Sequence, residues 1–305
     1  MKALVTGGAG FIGFNLTKLL CDEGHEVTVL DNFSSSGRKT ADSRAKLVQG
    51  SVGDYDLVFD LLKDKEVVFH LAATGIIKFS LENPLLYFEN NVMNGITLLE
   101  AMRKRGVNKM VYSSSSGVYG EPQRTPIQEN DVKEPINPYG AAKLAFEDVL
   151  SAYYYAFGIS SVCFRYYNVY GPGDRQHPVT RAVPKWIQAA LRDEPLVLYW
   201  GGRQKKDYIF VEDVVRANLI GASKCQGFKV YNVGSGEGIL MSDLSDKLEE
   251  VFGKKLNIEQ KGNREGDPDV LIADISRIKE DLGWRPLVDL ETGLTKTIEY
   301  YRNRL

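Results

Sequence analysis

Cysteine is scarce in this chain of 305 residues: Cys21, Cys163 and Cys225 stand far apart, odd in number and without CxxC spacing. They support neither a disulfide framework nor a zinc site, and no metal is expected; free thiols suit a reducing compartment. Charge of one sign is also lacking, since 38 Lys and Arg face 40 Asp and Glu for a formal net charge of -2, with no long basic run. Without a basic stripe there is little to hold a polyanion, so nucleic acid is not an expected partner. The longest apolar stretches, such as 67–73, are far too short to span a bilayer, and the N-terminus runs into a strand rather than a signal sequence. The chain reads as soluble and cytoplasmic, with no membrane attachment. No internal repeat, low-complexity tract or flexible linker appears, so two lobes packed tightly are expected rather than tethered modules.

What the sequence does have is alternation. Up to about residue 170, β-rich runs at 2–6, 26–30, 46–49, 67–71, 109–113 and 161–166 alternate with helical segments at 11–23, 55–62, 85–105 and 138–157. That order predicts an α/β fold, a doubly wound parallel sheet of Rossmann type. Beyond Gly171-Pro172-Gly173 the alternation becomes irregular, with a helix near 181–191, a strand at 196–199 and a strand–helix unit at 208–222. The division expected is a sheet domain over 1–170 with a return segment near 207–223, and a smaller mixed lobe over 171–305. A seam between lobes is the default place for a ligand.

The run Gly7-Gly8-Ala9-Gly10-Phe11-Ile12-Gly13 follows the first strand and opens the first helix. A diphosphate must approach backbone N–H groups at a helix N-terminus, where any Cβ at the closest points would block it. Glycines also serve ordinary turns, so the pattern gains weight from Asp31, which ends the second strand at the spacing from which a carboxylate reaches adenosine ribose hydroxyls. Its charge would repel a 2′-phosphate, which favours NAD over NADP; Arg38 nearby leaves the phosphorylated form open.

In Asn137-Pro138-Tyr139-Gly140-Ala141-Ala142-Lys143 the proline suits a helix start, and Tyr139 and Lys143 share a face at i and i+4. A free phenol ionises near pH ~10, so a tyrosine base needs its phenolate stabilised, for which Lys143 and a nicotinamide cation are the candidates. Such a pair alone is usually a surface pair. What singles it out is Ser113-Ser114-Ser115-Ser116 at the end of the fifth strand, the sheet edge where these folds place their chemistry.

These residues resemble the extended short-chain dehydrogenase/reductases and, within them, the NAD-dependent sugar-nucleotide epimerase/dehydratase family. The resemblance covers nearly the whole chain, continuing through His70-Leu71-Ala72-Ala73, Asn90-Asn91-Val92, Val118-Tyr119-Gly120, Arg165-Tyr166-Tyr167-Asn168, Lys206-Asp207-Tyr208, Arg264-Glu265-Gly266-Asp267 and Gly283-Trp284-Arg285-Pro286. It is strongest toward the UDP-glucose 4-epimerase branch. Carried over residue by residue, it implies Ser115, Tyr139 and Lys143 as the catalytic set, with Tyr139 removing the proton from O4 of a UDP-hexose while the C4 hydride passes to NAD and later returns to the other face. It implies NAD contacts from Gly7, Gly10, Phe11, Ile12, Gly13, Asp31, Asn32, Phe33, Ser35, Gly37, Ser51, Val52, Leu71, Ala72, Ala73, Asn91, Ser113 and Tyr166. For the UDP-sugar substrate it implies Asn168, Val183, Val197, Tyr199, Lys206, Arg264 and Asp267, with Ser115 and Tyr139 at the sugar. A homodimer through the two long helices is implied as well, with Leu98, Leu99, Met102, Leu144, Phe146, Leu150 and Tyr154 among their apolar residues.

Departures from the pattern bear on specificity. Lys206 stands for an arginine and loses bidentate geometry toward phosphate. Ser51 stands for an acid, Trp200 for a small residue, and Leu271 for the residue that gates N-acetylated sugars. Arg175, His177 and Arg181 are candidates for a uronate carboxylate, or a surface cluster. Ser116 and Gly117 replace the acidic pair of the dehydratases, which argues against dehydration. Epimerases of UDP-N-acetylglucosamine or UDP-glucuronate, a UDP-glucuronate decarboxylase and a non-catalytic NAD-binding regulator are the alternatives.

Overall fold

Runs of Val, Leu and Phe without polar alternation form strands covered on both faces. In the computed structural model, which describes residues 1–34, 39–174, 178–262 and 268–304, Val67–His70 is buried at all positions and Glu26–Asp31 at all but the first. In chain order, β1 (Lys2–Thr6), α1 (Phe11–Asp22), β2 (Glu26–Asp31), β3 (Lys46–Gln49), α2 (Tyr55–Leu61) and β4 (Val67–His70) come first. Then follow α3 (Ile77–Glu82), α4 (Pro84–Phe88), α5 (Asn94–Arg105), β5 (Lys109–Ser115), α6 (Pro138–Phe157) and β6 (Ser160–Tyr166). Next come β7 (Asn168–Tyr170), α7 (Ala182–Leu191), β8 (Leu196–Tyr199), β9 (Lys205–Phe210), α8 (Val211–Ser223) and β10 (Phe228–Val233). The chain closes with β11 (Gly238–Leu240), α9 (Met241–Phe252), β12 (Ile258–Lys261), β13 (Val270–Leu271), α10 (Ser276–Leu282) and α11 (Leu290–Arg302).

The large sheet has the order β3-β2-β1-β4-β5-β6-β10, every neighbour parallel. This is the doubly wound fold that the alternation predicts. Strand order reverses between β1 and β4, so a crevice opens at their carboxyl ends. One face packs Leu16, Leu20, Val214 and Trp284 from α1, α8 and the segment after α10; the other packs Val58, Leu98, Met102, Phe146 and Leu150 from α2, α5 and α6. Each such side chain contributes about 1.5–3 kcal/mol when fully buried. The chain's return to this sheet runs past residue 223 and ends in β10.

The second lobe is built on β9. Its first half lies between β11, antiparallel, and β13, parallel, while its second half pairs with β7. α7, α9 and α11 enclose a separate core of Trp186, Ile187, Leu244, Leu248, Leu294 and Ile298.

The helix predicted at 85–105 begins at Pro84 and carries a π-helical turn at Glu89–Met93. The widened turn aims two amides at Thr74: Thr74 N donates to Asn91 Oδ1 at 2.8 Å, Asn91 Nδ2 to the Thr74 carbonyl at 3.0 Å, and Asn90 Nδ2 to Thr74 Oγ1 at 3.1 Å. Periodicity does not reveal this, because the partner lies in a loop elsewhere in the chain.

Candidate active site

The glycine turn is shaped by contacts that exclude side chains. Gly7 has φ +71°, and its N–H donates to the Leu30 carbonyl at 2.8 Å. A Cβ on Gly13 would lie 2.2 Å from the Gly7 carbonyl oxygen, so the helix packs directly on the turn. Gly10 caps α1 without a side chain, leaving the first-turn N–H groups to the crevice. Asp31, at the end of β2, accepts from Ala9 N at 2.9 Å and from Phe33 N at 2.7 Å. Burial raises its pKa, and these two N–H donors pull it back.

Around this turn runs a groove with two arms that share Gly7, Gly10, Leu71 and Ala73. The arm beside β2 holds Asp31, Asn32, Ser51, Val52 and Ala72. The other continues past Phe11, Ile12 and Gly13 to Ser113, Ser115, Tyr139, Lys143, Tyr166 and Asn168, and encloses about 1570 Å³ including its open mouth. The glycine cradle, the open helix N-terminus and the carboxylate at the strand end fit a dinucleotide.

The other arm's chemistry comes from β5 and α6. Asn137 caps α6 by accepting from Gly140 N at 2.9 Å, and Pro138 fills its first turn. Tyr139 is thereby fixed in the first turn, its ring edge-on to Tyr87 of α4 at 6.4 Å. A Cβ on Gly140 would lie 2.3 Å from the Gly117 carbonyl oxygen, so this glycine lets the turn after β5 close onto α6. Of the four consecutive serines, Ser113 donates to Tyr166, Ser114 donates to Glu147, and Ser115 Oγ accepts from Gly117 N at 3.1 Å in the same cleft as Tyr139. Lys143 is 3% exposed; its Nζ donates to the Ser113 carbonyl at 2.7 Å and lies 4.8 Å from the Tyr112 ring centre and 6.0 Å from that of Tyr139.

Burial pushes the Lys143 ammonium down to about 7, opposed by the charge of Glu147. Burial likewise holds the Tyr139 phenol above its ordinary range, and the Ser115 hydroxyl and the charge of Arg181 pull it back. Arg181, which lines the same cleft, forks onto Asp174 with Nε–Oδ2 at 2.7 Å and sits 5.3 Å over the Phe11 ring. The chain's offsetting cation at Tyr139 is thus Arg181, while Lys143 is turned toward the strand.

Several residues implied by resemblance lie elsewhere. Asn91 is 1% exposed and spends its amide on Thr74, so it shapes the groove through that loop, whereas Asn90 and Asn94 line it. Phe33 is not among the lining residues; its N–H serves Asp31. Val183 is buried in the second core, and the Val197 carbonyl accepts from Trp186 Nε1 at 3.1 Å. Tyr199 ends β8 and is not among the lining residues, and the buried Lys206 donates to the carbonyl of Pro268, which does line the groove. Ser35, Gly37, Arg38, Arg175, His177, Arg264 and Asp267 lie outside the described residues. Thr74, Gly50, Ser34, Ile136, Thr180 and Pro268 line the groove without having been expected, and only the amides Asn90 and Asn94 carried a signal, one helical turn apart beside Asn91.

The profile of the NAD dependent epimerase/dehydratase family matches residues 3–234. The chain belongs to this family. NAD is its cofactor, and it is an enzyme. The UDP-glucose 4-epimerase of Corynebacterium glutamicum is 36% identical over 301 residues, covering 94% of this chain and 91% of that protein. Among solved structures, the UDP-glucose 4-epimerase of Thermotoga maritima with UDP-glucose is 36% identical, with a TM-score of 0.94 over 99% of both chains. The UDP-glucose 4-epimerase of Thermus thermophilus, in complex with NAD, is 33% identical, with a TM-score of 0.92 over 100% of both. Within this epimerase/dehydratase the groove beside the glycine turn corresponds to the crevice at the strand-order reversal, where a dinucleotide binds in such folds. Among the described residues no helix is long and apolar enough to cross a membrane.

Proposed function

We propose that the chain is an NAD-dependent UDP-sugar 4-epimerase that interconverts UDP-glucose and UDP-galactose through a 4-keto sugar. The observation that carries this reading is the convergence of Ser115, Tyr139 and Lys143 in the same cleft as the glycine turn. NAD, when bound, supplies a hydride acceptor and donor at the sugar C4.

The chain's own residues handle the proton. Tyr139 takes it from O4 and returns it to O4 once the hydride has come back to the opposite face of C4, with Ser115 placed to bond both the phenol and the sugar oxygen. A cation near the ring favours the phenolate, so Arg181 lowers the barrier to that transfer, and Lys143, 6.0 Å from the ring centre, adds to it when protonated. Gly7, Gly10, Phe11, Ile12, Gly13, Asp31, Asn32, Ser51, Val52, Leu71, Ala72 and Ala73 hold the dinucleotide, and Asn168, Leu271, Thr180 and Pro268 face the nucleotide sugar. Arg264 and Asp267 belong with the latter on resemblance. The division of labour gives 1–170 and the returning segment to NAD, and 171–305 otherwise to the UDP-sugar.

The assembly we infer is a homodimer. Leu98, Leu99, Met102, Phe146 and Leu150 are fully buried within one chain, but Leu85, Leu86, Phe88 and Met93 are exposed along the α4–α5 helix and form the surface that a second copy would cover. Three free thiols, Cys21, Cys163 and Cys225, suit a cytoplasmic setting.

Purified protein is incubated without added cofactor with UDP-glucose, UDP-galactose, their N-acetylamino forms and UDP-glucuronate. Interconversion of the two hexoses at C4 is expected. Loss of water or CO2, or no turnover with NAD bound, overturns the proposal.

A further inference from the structure

Glu147 has no part in the chemistry above, yet it sits one helical turn beyond Lys143 on the same face of α6 and is 2% exposed. Ser114 Oγ donates to its Oε1 at 2.5 Å, and Arg165 of β6 forks onto it, Nε to Oε1 at 3.0 Å and Nη2 to Oε2 at 2.6 Å. Arg165 Nη1 also donates to the Tyr119 hydroxyl and the Glu129 carbonyl, both at 2.9 Å, and Tyr119 donates to Asn232 of β10 at 2.7 Å. One carboxylate therefore ties α6 to two adjacent strands directly and, through Arg165 and Tyr119, to a third.

A buried ion pair is weak as a source of stability, because desolvation offsets the attraction. Its place is more telling. Ser114 lies between Ser113, whose carbonyl holds Lys143, and Ser115, which lines the cleft with Tyr139. The titratable groups facing Lys143 are His70 from β4, Tyr112 from β5, Cys163 from β6, Tyr139 and Glu147 from α6, with Arg165 of β6 beyond Glu147. Burial holds His70 neutral, with its pKa down to about 3, and raises those of Tyr112 and Cys163. Glu147 is the carboxylate of the set.

We propose that Glu147 is a positioning residue for the Ser115, Tyr139 and Lys143 site: gripped by Ser114 and Arg165, it fixes α6 against the end of β5 and places a buried negative charge one turn from the Lys143 ammonium. Its kinetic consequence rests on the epimerase reading. Burial drives Lys143 toward its neutral form, and Glu147 is the first of the groups that oppose this.

Glu147→Gln alone strands the Arg165 charge, so the test pairs it with Arg165→Gln, a neutral exchange. In full-length protein carrying 13C-lysine, the Lys143 Cε signal is identified by its loss in Lys143→Met and titrated alongside kcat. The paired variant is expected to fold and keep NAD, with the Lys143 midpoint about one pH unit lower and the alkaline limb of kcat displaced with it. Ser114→Ala, which keeps both charges, lowers kcat without moving that midpoint. An unmoved midpoint in the paired variant, or a moved midpoint with a wild-type kcat profile, overturns the proposal. A wild type that epimerises no UDP-sugar sinks the functional reading instead, while the lysine titration still decides the charge relationship.

Discussion

The Lys143 ammonium donates to the Ser113 carbonyl at 2.7 Å, two residues before Ser115, which lines the same cleft as Tyr139. Tyr139, Ser115 and Lys143 thus hang on two elements, the end of β5 and the first turns of α6, and their spacing is set where those elements meet.

Tyr139→Phe removes the hydroxyl proposed to transfer the proton, and little packing volume. Turnover is expected to fall by about 10²–10⁴, the usual contribution of a positioned acid–base group, with NAD still bound. A C4-epimerisation assay and the nucleotide released on denaturation check both halves.

The lysine has a signature in stability. Its folded pKa, about 7, lies below the value of 10.5 for an exposed lysine, so between these limits the unfolded chain binds the extra proton and stability rises with pH. Lys143→Met escapes the cost of a buried ammonium, a few kcal/mol at about pH 6. Its stability relative to wild type is therefore expected to be most favourable at pH 6 and to decline toward pH 9. Urea midpoints at both pH values measure it, and a constant difference would contradict a lysine held so far from its ordinary range.

Gly13→Ala forces a Cβ against the Gly7 carbonyl oxygen at 2.2 Å. Overpacking of this kind costs about 1–3 kcal/mol, and the turn it distorts is the one facing the dinucleotide. Reduced bound NAD together with a lower urea midpoint is the expected pair of effects; a change in stability with full NAD content would separate the turn from the cofactor.

Much of this was legible in advance, for reasons that differ along the chain. The parallel strands are short apolar runs bounded by turns, and Asn137, Pro138 and Gly158 mark both ends of α6. Local chemistry sufficed there. The second lobe was harder, since β7, β11 and β13 are two or three residues long and exist only because β9 runs between them. The same holds for Asn91, whose amide looks available in sequence and is consumed by Thr74, and for Arg181, whose influence on Tyr139 depends on a cleft that the fold assembles.

Asn91→Leu tests that last class. It removes two hydrogen bonds and leaves the Thr74 N–H and carbonyl without their partners, at a cost of about 1–3 kcal/mol. Lower stability and weaker NAD retention are expected, with Tyr139 chemistry intact in whatever enzyme remains loaded.

The central claim is that a hydride leaves C4 of the sugar and returns to the same carbon while Tyr139 handles the O4 proton. UDP-galactose deuterated at C4, incubated with the protein without added cofactor in ordinary water, decides it by NMR. The account predicts UDP-glucose that keeps deuterium at C4; UDP-glucose with the label lost to solvent, or no UDP-glucose at all, would contradict it.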